Sequence, residues 1–144
     1  MHKKGLTMEP RDIASEIVNE FSFFDDWADR YQHLIDQGRH LAALPPHYLA
    51  DDYILKGCQS VVHFVSEIND EGRLIFHAAS DAAIVQGLIA LLVRVYSDQK
   101  PASILAQDAS FLAEIGLDKH LSATRKTGLA AMVSAIHEAA KNAL

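Results

Sequence analysis

Ser60-Val61-Val62-His63-Phe64-Val65-Ser66-Glu67-Ile68 is followed by Asn69-Asp70-Glu71-Gly72 and then by Arg73-Leu74-Ile75-Phe76-His77-Ala78. The first run is rich in β-branched and aromatic residues, which suit a pleated, half-buried surface. Alternation puts Val62, Phe64, Ser66 and Ile68 on one face and Val61, His63, Val65 and Glu67 on the other. The turn-forming residues between the runs reverse the chain, and Leu74 and Phe76 of the returning run face one way. Upstream, Tyr53-Ile54-Leu55-Lys56 has the same strand texture. The reading is an antiparallel meander of three short strands.

Helical patterns lie on both sides of it. Pro10 suits a first helical turn, and Ile13, Ile17 and Phe21 recur at a spacing of four. A second helix runs from Asp25 to about Gln37, with Trp27, Tyr31, Leu34 and Ile35 on one face and Gly38 placed as a stop. Leu44-Pro45-Pro46-His47 cannot continue a helix, because proline lacks a donor and restricts the residue before it. After the meander, Ser80-Asp81 reads as an N-cap for a helix from Ala82 to about Tyr96 that is apolar on nearly every side and therefore central. Gly87 within it marks a close crossing with a helix or the sheet. Lys100-Pro101 breaks this helix, short turns run to Gly116, and Ser122 caps a last helix striped by Leu129, Met132, Val133, Ile136 and Ala140. Helices, strands, then helices imply an α+β fold with helices packed on one face of a small antiparallel three-stranded sheet. Residues 9–144 form one domain in this reading, and residues 1–8 a disordered leader.

The bulk composition narrows the function. The chain has 144 residues, 49% hydrophobic and 22% charged, enough to bury a core without disulfides or a structural metal. Its net charge of -6 gives no positive field for nucleic acid or an anionic membrane. The most apolar stretch, Ala82 to Val93, is well short of the roughly 20 residues that cross a bilayer. The basic start, with Lys3 and Lys4, has no apolar run behind it, so no signal peptide is read. A single cysteine rules out an intramolecular disulfide and a cysteine-only metal site, and fits a reducing cytoplasm.

That cysteine is Cys58, in Gly57-Cys58-Gln59-Ser60 between two strand-like segments. A lone cysteine can be a small core hydrophobe or a reactive thiol; core cysteines usually sit inside an apolar run, and this one does not. Gly57 permits backbone conformations other residues resist and lets another molecule's backbone approach. Thiol hydrolysis needs an oriented base, yet the eight histidines show no signature that selects one. A zinc site from Cys58, His63 and His77 lacks any recognised ligand spacing. Group carriage needs only access and some thiolate, because a thiol can take sulfur from a persulfide by exchange. Arg125, at the start of the last helix, reads either as a solvated surface cation or, if near Cys58, as a permanent charge favouring the thiolate.

Four groups of residues, in order along nearly the whole chain, resemble the SufE family of sulfur acceptors. They are Asp26-Trp27 with Arg30-Tyr31, Leu34-Ile35, Gly38 and Leu44-Pro45; Lys56-Gly57-Cys58-Gln59-Ser60; Ser80-Asp81-Ala82-Ala83-Ile84-Val85 with Gly87-Leu88-Ile89; and Gly116-Leu117, His120-Leu121-Ser122, Arg125 and Gly128-Leu129. The resemblance implies a fold akin to the IscU scaffold. It further implies binding to a pyridoxal-phosphate cysteine desulfurase of the SufS or CsdA kind, stimulation of that enzyme by removal of its sulfur, and delivery to an iron-sulfur scaffold protein. Cys58 would be the persulfide acceptor. Arg125 would stabilise the anion or meet the partner, and Gly57, Gln59, Ser60 and Asp81 would belong to the partner surface. No cofactor and no metal are implied for the acceptor itself. The chain departs from the family at Val61-Val62-His63, where Gln-Val-Trp is common, and at Lys126-Thr127, where a small polar pair is usual.

Overall fold

The computed structural model describes residues 8–144. The expected leader lies outside the described residues except for Met8, whose carbonyl accepts a 2.7 Å hydrogen bond from the Gln99 side chain. Helix α1 (Pro10–Phe21) begins on its proline and buries Pro10, Ala14, Ile17 and Phe21. Helix α2 (Trp27–Arg39) is capped by Asp26, whose carboxylate accepts from the Asp29 N–H at 2.9 Å. Two short 3-10 turns, Pro46–Leu49 and Asp51–Tyr53, then lead to the hairpin.

Strands β1 (Val62–Ile68) and β2 (Leu74–Ser80) pair antiparallel from Val62 opposite Ser80 to Ile68 opposite Leu74. The Asn69 side chain closes the turn by accepting from the Glu71 and Arg73 N–H groups, both at 2.9 Å. Among the described residues the sheet has two strands rather than the expected three. Residues 51–53 form a 3-10 turn, and only Ile54 bridges to His63. The Leu55 N–H reaches the Val62 carbonyl at 2.8 Å, after which Gly57, at φ 95°, turns the chain away before a ladder can extend. β texture over four residues did not outweigh a turn that begins inside them.

Helix α3 (Ala83–Tyr96) is the hub. Nine of its residues are buried, from Val85 to Tyr96, and it packs against β2, α1 and α2. Asp81 does not cap it: Ala82 holds the N-cap position with no side-chain bond, while Ser80 braces the entry by accepting from the Ala82 N–H at 3.3 Å and donating its own N–H to Gln86 at 2.8 Å. Gly38 also has a different role from the expected stop. It is buried inside α2, and a Cβ on it would lie 2.8 Å from the Gly87 nitrogen; one on Gly87 would lie 2.8 Å from Leu34 Cγ and closer still to the Leu34 carbonyl. The two helices therefore cross backbone to backbone, as Gly87 suggested. On the rim of this crossing Arg94 ties α3 to Glu20 and Glu16 of α1 and to Gln37 of α2.

Three short helices, α4 (Pro101–Leu105), α5 (Ser110–Glu114) and α6 (Leu117–His120), lead to the long α7 (Ala123–Asn142). Ser122 caps α7 by accepting from the Arg125 N–H at 3.2 Å. Met132, Ile136 and Ala140 run the buried stripe of α7 into the common core. Among the described residues no helix is long and apolar enough to cross a membrane.

The helix crossing yields a direct test. Gly87→Ala forces a methyl into the α2 backbone and should cost about 2 kcal/mol or more, within the usual range for overpacking. Thermal unfolding should fall by roughly 5 °C or more; an unchanged midpoint would show that the crossing has slack.

Candidate functional site

The loop after the Ile54 bridge lies against α7. A Cβ on Gly57 would sit 3.2 Å from the Ala131 Cβ, so glycine serves both the positive φ and the close seat on the helix. The next residue, Cys58, is thereby turned inward and half-buried, and its Sγ–H donates to the Gly128 carbonyl at 3.5 Å. Gly128 is buried in the second turn of α7, where its lack of a side chain brings the helix against the thiol.

Beside the thiol is a small cavity of about 20 Å³, roughly the room one water molecule needs. Its polar wall comes from Gln59 and Ser60 of the loop and Thr124 and Arg125 of the first turn of α7. Val85 and Leu88 of α3, with Leu129 and Met132 of α7, make the apolar wall. Residues 125, 128, 129 and 132 share one face of α7 because they are three, four and seven apart. That spacing is visible in the sequence and was the available signal for Gly128 and Met132. Val85 and Leu88 carry no such mark, since only the fold sets α3 beside the loop.

Burial raises the Cys58 pKa above its ordinary value. The neutral thiol is favoured in the free protein although Arg125 stands in the same wall. The sequence-derived site thus divides. Cys58, Gln59, Ser60 and Arg125 converge on one cavity, Gly57 seats the loop, and Asp81 is exposed in a neighbouring groove with Leu49, Val61, His63, Ala79 and Ser80. His63, at the departure from the usual tryptophan, therefore lies beside Asp81 and not in the cavity wall. Among the described residues no histidine lines the thiol cavity. Among the described residues no three His, Cys, Asp or Glu side chains converge as metal ligands would.

The position of α7 is fixed from the other end of the chain. Trp27 stacks on His120 with ring centroids 3.9 Å apart, and the Tyr31 hydroxyl donates to the His120 carbonyl at 2.7 Å. Arg30 donates to the carbonyls of Phe24 at 2.8 Å and Ile115 at 3.0 Å. Gly116, at φ 89°, turns the chain against the Trp27 ring. Trp27 and Tyr31 are packing residues, and what they pack is the corner that launches α7.

The family profile described as SufE, Fe-S metabolism associated domain, matches residues 15–140. The chain belongs to the SufE family. An uncharacterised SufE-like protein of Rhizobium meliloti (strain 1021) is 33% identical over 133 residues, covering 90% of this chain and 95% of that one. The solution structure of a hypothetical protein from Thermus thermophilus matches with a TM-score of 0.76, covering 95% of this chain and 98% of that one. At 17% identity the second likeness speaks for the fold alone. SufE membership assigns the protein a role in iron-sulfur metabolism.

For this SufE-family cavity the thiol is the measurable group. Alkylation of Cys58 in the free protein should reach half its limiting rate above the pH of about 8.5 expected for a free cysteine. The sign for stability follows. As pH rises past about 8.5 the unfolded chain loses the thiol proton before the folded one, so wild type loses stability there. Cys58→Ser should not show that loss in pH-dependent denaturant titrations.

Proposed function

We propose that the protein is a cytoplasmic sulfur carrier. It binds a pyridoxal-phosphate cysteine desulfurase of the SufS or CsdA kind, stimulates it by taking its persulfide sulfur onto Cys58, and passes that sulfur to an iron-sulfur scaffold protein. The observation that carries the reading is a solitary thiol beside a cavity with room for about one further atom. The Cys58 thiolate attacks the terminal sulfur of the donor persulfide. A bond from Sγ to that sulfur forms, the donor's S–S bond breaks, and the donor cysteine leaves as thiolate, with no net oxidation. A carrier needs no more than this from its own residues. An independent cysteine hydrolase needs a base held against the thiol, whereas the thiol's hydrogen-bond partner is a carbonyl.

Arg125 has a defined part in this scheme. Burial favours the neutral thiol at rest, and the guanidinium compensates negative charge when the thiol ionises for attack and when the persulfide anion is held. Gly57, Gln59 and Ser60 present the loop to the desulfurase. Asp81, exposed in the adjacent groove, offers an anionic contact to the same partner.

A desulfurase assay tests the reading. Wild type should stimulate sulfide release and, after incubation with desulfurase and cysteine, gain about one sulfur by mass spectrometry, as one exchange at one thiol requires. Cys58→Ser should bind the desulfurase but gain none. Sulfur on that variant, or stimulation that survives it, would place the acceptor elsewhere. Arg125→Ala should slow transfer several-fold, with partial recovery in Arg125→Lys, because a point charge keeps the field but not the planar fork of donors. Transfer at the wild-type rate in both would remove Arg125 from the mechanism.

A further inference from the structure

Gly128 stands inside a 20-residue helix, where glycine is less favoured than every residue but proline. At Gly38 and Gly87 the reason for glycine is plain, because an added Cβ would run into the backbone of the opposing helix. At Gly128 it is not. A Cβ there would meet Cys58 first, at 3.6 Å from Sγ, 3.8 Å from Cβ and 3.9 Å from Cα, and these are ordinary non-bonded contacts. The protein with a reduced Cys58 therefore has room for alanine.

The persulfide changes the comparison. A second sulfur bonded to Sγ lies about 2.05 Å from it. Directed toward the Cβ position, it would come within about 1.6 Å of a methyl carbon, the difference between 3.6 Å and that bond length, where a comfortable contact is about 3.5 Å or more. The cavity next to the thiol has room for about one water-sized body, and a methyl group is of similar size. Methyl and sulfane sulfur would compete for one space.

We infer that Gly128 is the specificity-determining residue of the carrier: its missing side chain reserves, beside Cys58, the space that the transferred sulfur occupies. This rests on the carrier reading above and adds the location of the cargo. Gly128 does not touch the donor and takes no part in the exchange. It decides whether the product, with its terminal sulfur between the apolar wall of Val85, Leu88 and Met132 and the polar wall of Thr124 and Arg125, can be held inside the protein. A terminal sulfur held there is screened from small nucleophiles in solution that would remove it.

The test uses the full chain and needs no partner. Wild type, Gly128→Ala and Cys58→Ser are loaded with glutathione persulfide, loading is read by mass spectrometry, and the bound sulfur is then removed with cyanide, which leaves as thiocyanate and returns the thiol. Gly128→Ala should melt higher than wild type by about 2–4 °C, because alanine is the better helix former. Its persulfide should be lost to cyanide at least about tenfold faster, as expected for one surplus methyl in a filled space. Alkylation of its unloaded thiol should change by much less, and that split separates space for sulfur from general loosening. Equal persulfide lifetimes in wild type and Gly128→Ala would overturn the inference while a loaded wild type leaves the carrier reading intact. A lower melting temperature in Gly128→Ala would also overturn it, by showing that helix packing requires the glycine. Failure of wild type to take sulfur from either glutathione persulfide or a desulfurase would instead overturn the carrier reading, and the role of Gly128 with it.

Discussion

Backbone meets backbone where Gly38 of α2 faces Gly87 of α3, and the rest of the molecule is arranged around that contact. Two helices carrying ordinary side chains at a crossing lie about 8–10 Å apart; without side chains at the crossing point they can come closer. The gain is that α3, apolar around nearly its whole circumference, is covered by α2 on one side while β2, α1 and α7 take the others. A helix of that composition is stable in water only when so enclosed. Arg94 and Gln86 show where its surface stops being apolar. The first meets carboxylates of α1, and the second completes the backbone of the residue that leads into the helix.

The site inherits its form from this enclosure. One wall of the thiol cavity is α3 itself, through Val85 and Leu88, and the other is α7, so the cavity exists only while both helices are in register with the loop. Charge and apolar surface are separated across a few ångströms: the first turn of α7 offers Thr124 and Arg125, while the deeper residues are hydrocarbon and thioether. A neutral thiol is at home in the apolar part and an anion in the polar part. The Cys58 thiol thus has an environment suited to each of its charge states within reach of one side chain.

Much of the fold could be read from local pattern. The spacing of Ile13, Ile17 and Phe21, the alternation around Val62 and Phe64, and Ser122 before the stripe of Met132 and Ile136 each report an interaction that is itself local or periodic. The errors share a physical cause. Gly38 looked like a helix stop because glycine is common there, yet its neighbour across space is Gly87, and no window along the chain contains both. Asp81 looked like a cap by residue type, but the helix entry is braced from Ser80. Tyr53 to Lys56 has strand texture without a partner of sufficient length. In the site, Cys58 declared itself by chemistry and Arg125 by family resemblance. The α3 part of the apolar wall did not, because Val85 and Leu88 are indistinguishable from ordinary core until the fold brings them to a thiol.

The corner that launches α7 is held by Arg30 and Tyr31, whose partners at Ile115 and His120 are 85 and 89 positions away in the chain. Such distant closures are among the slower events of folding, since the loop entropy must be lost before the contacts form. During synthesis the chain emerges from its N-terminus, so Cys58 leaves the ribosome well before Arg125, Gly128 and Met132 exist to cover it. For that interval its thiol has neither the raised pKa nor the shelter of the finished protein. The thiol of the newborn chain is therefore more accessible than that of the mature protein, and the docking of the C-terminal helix is the step that covers it.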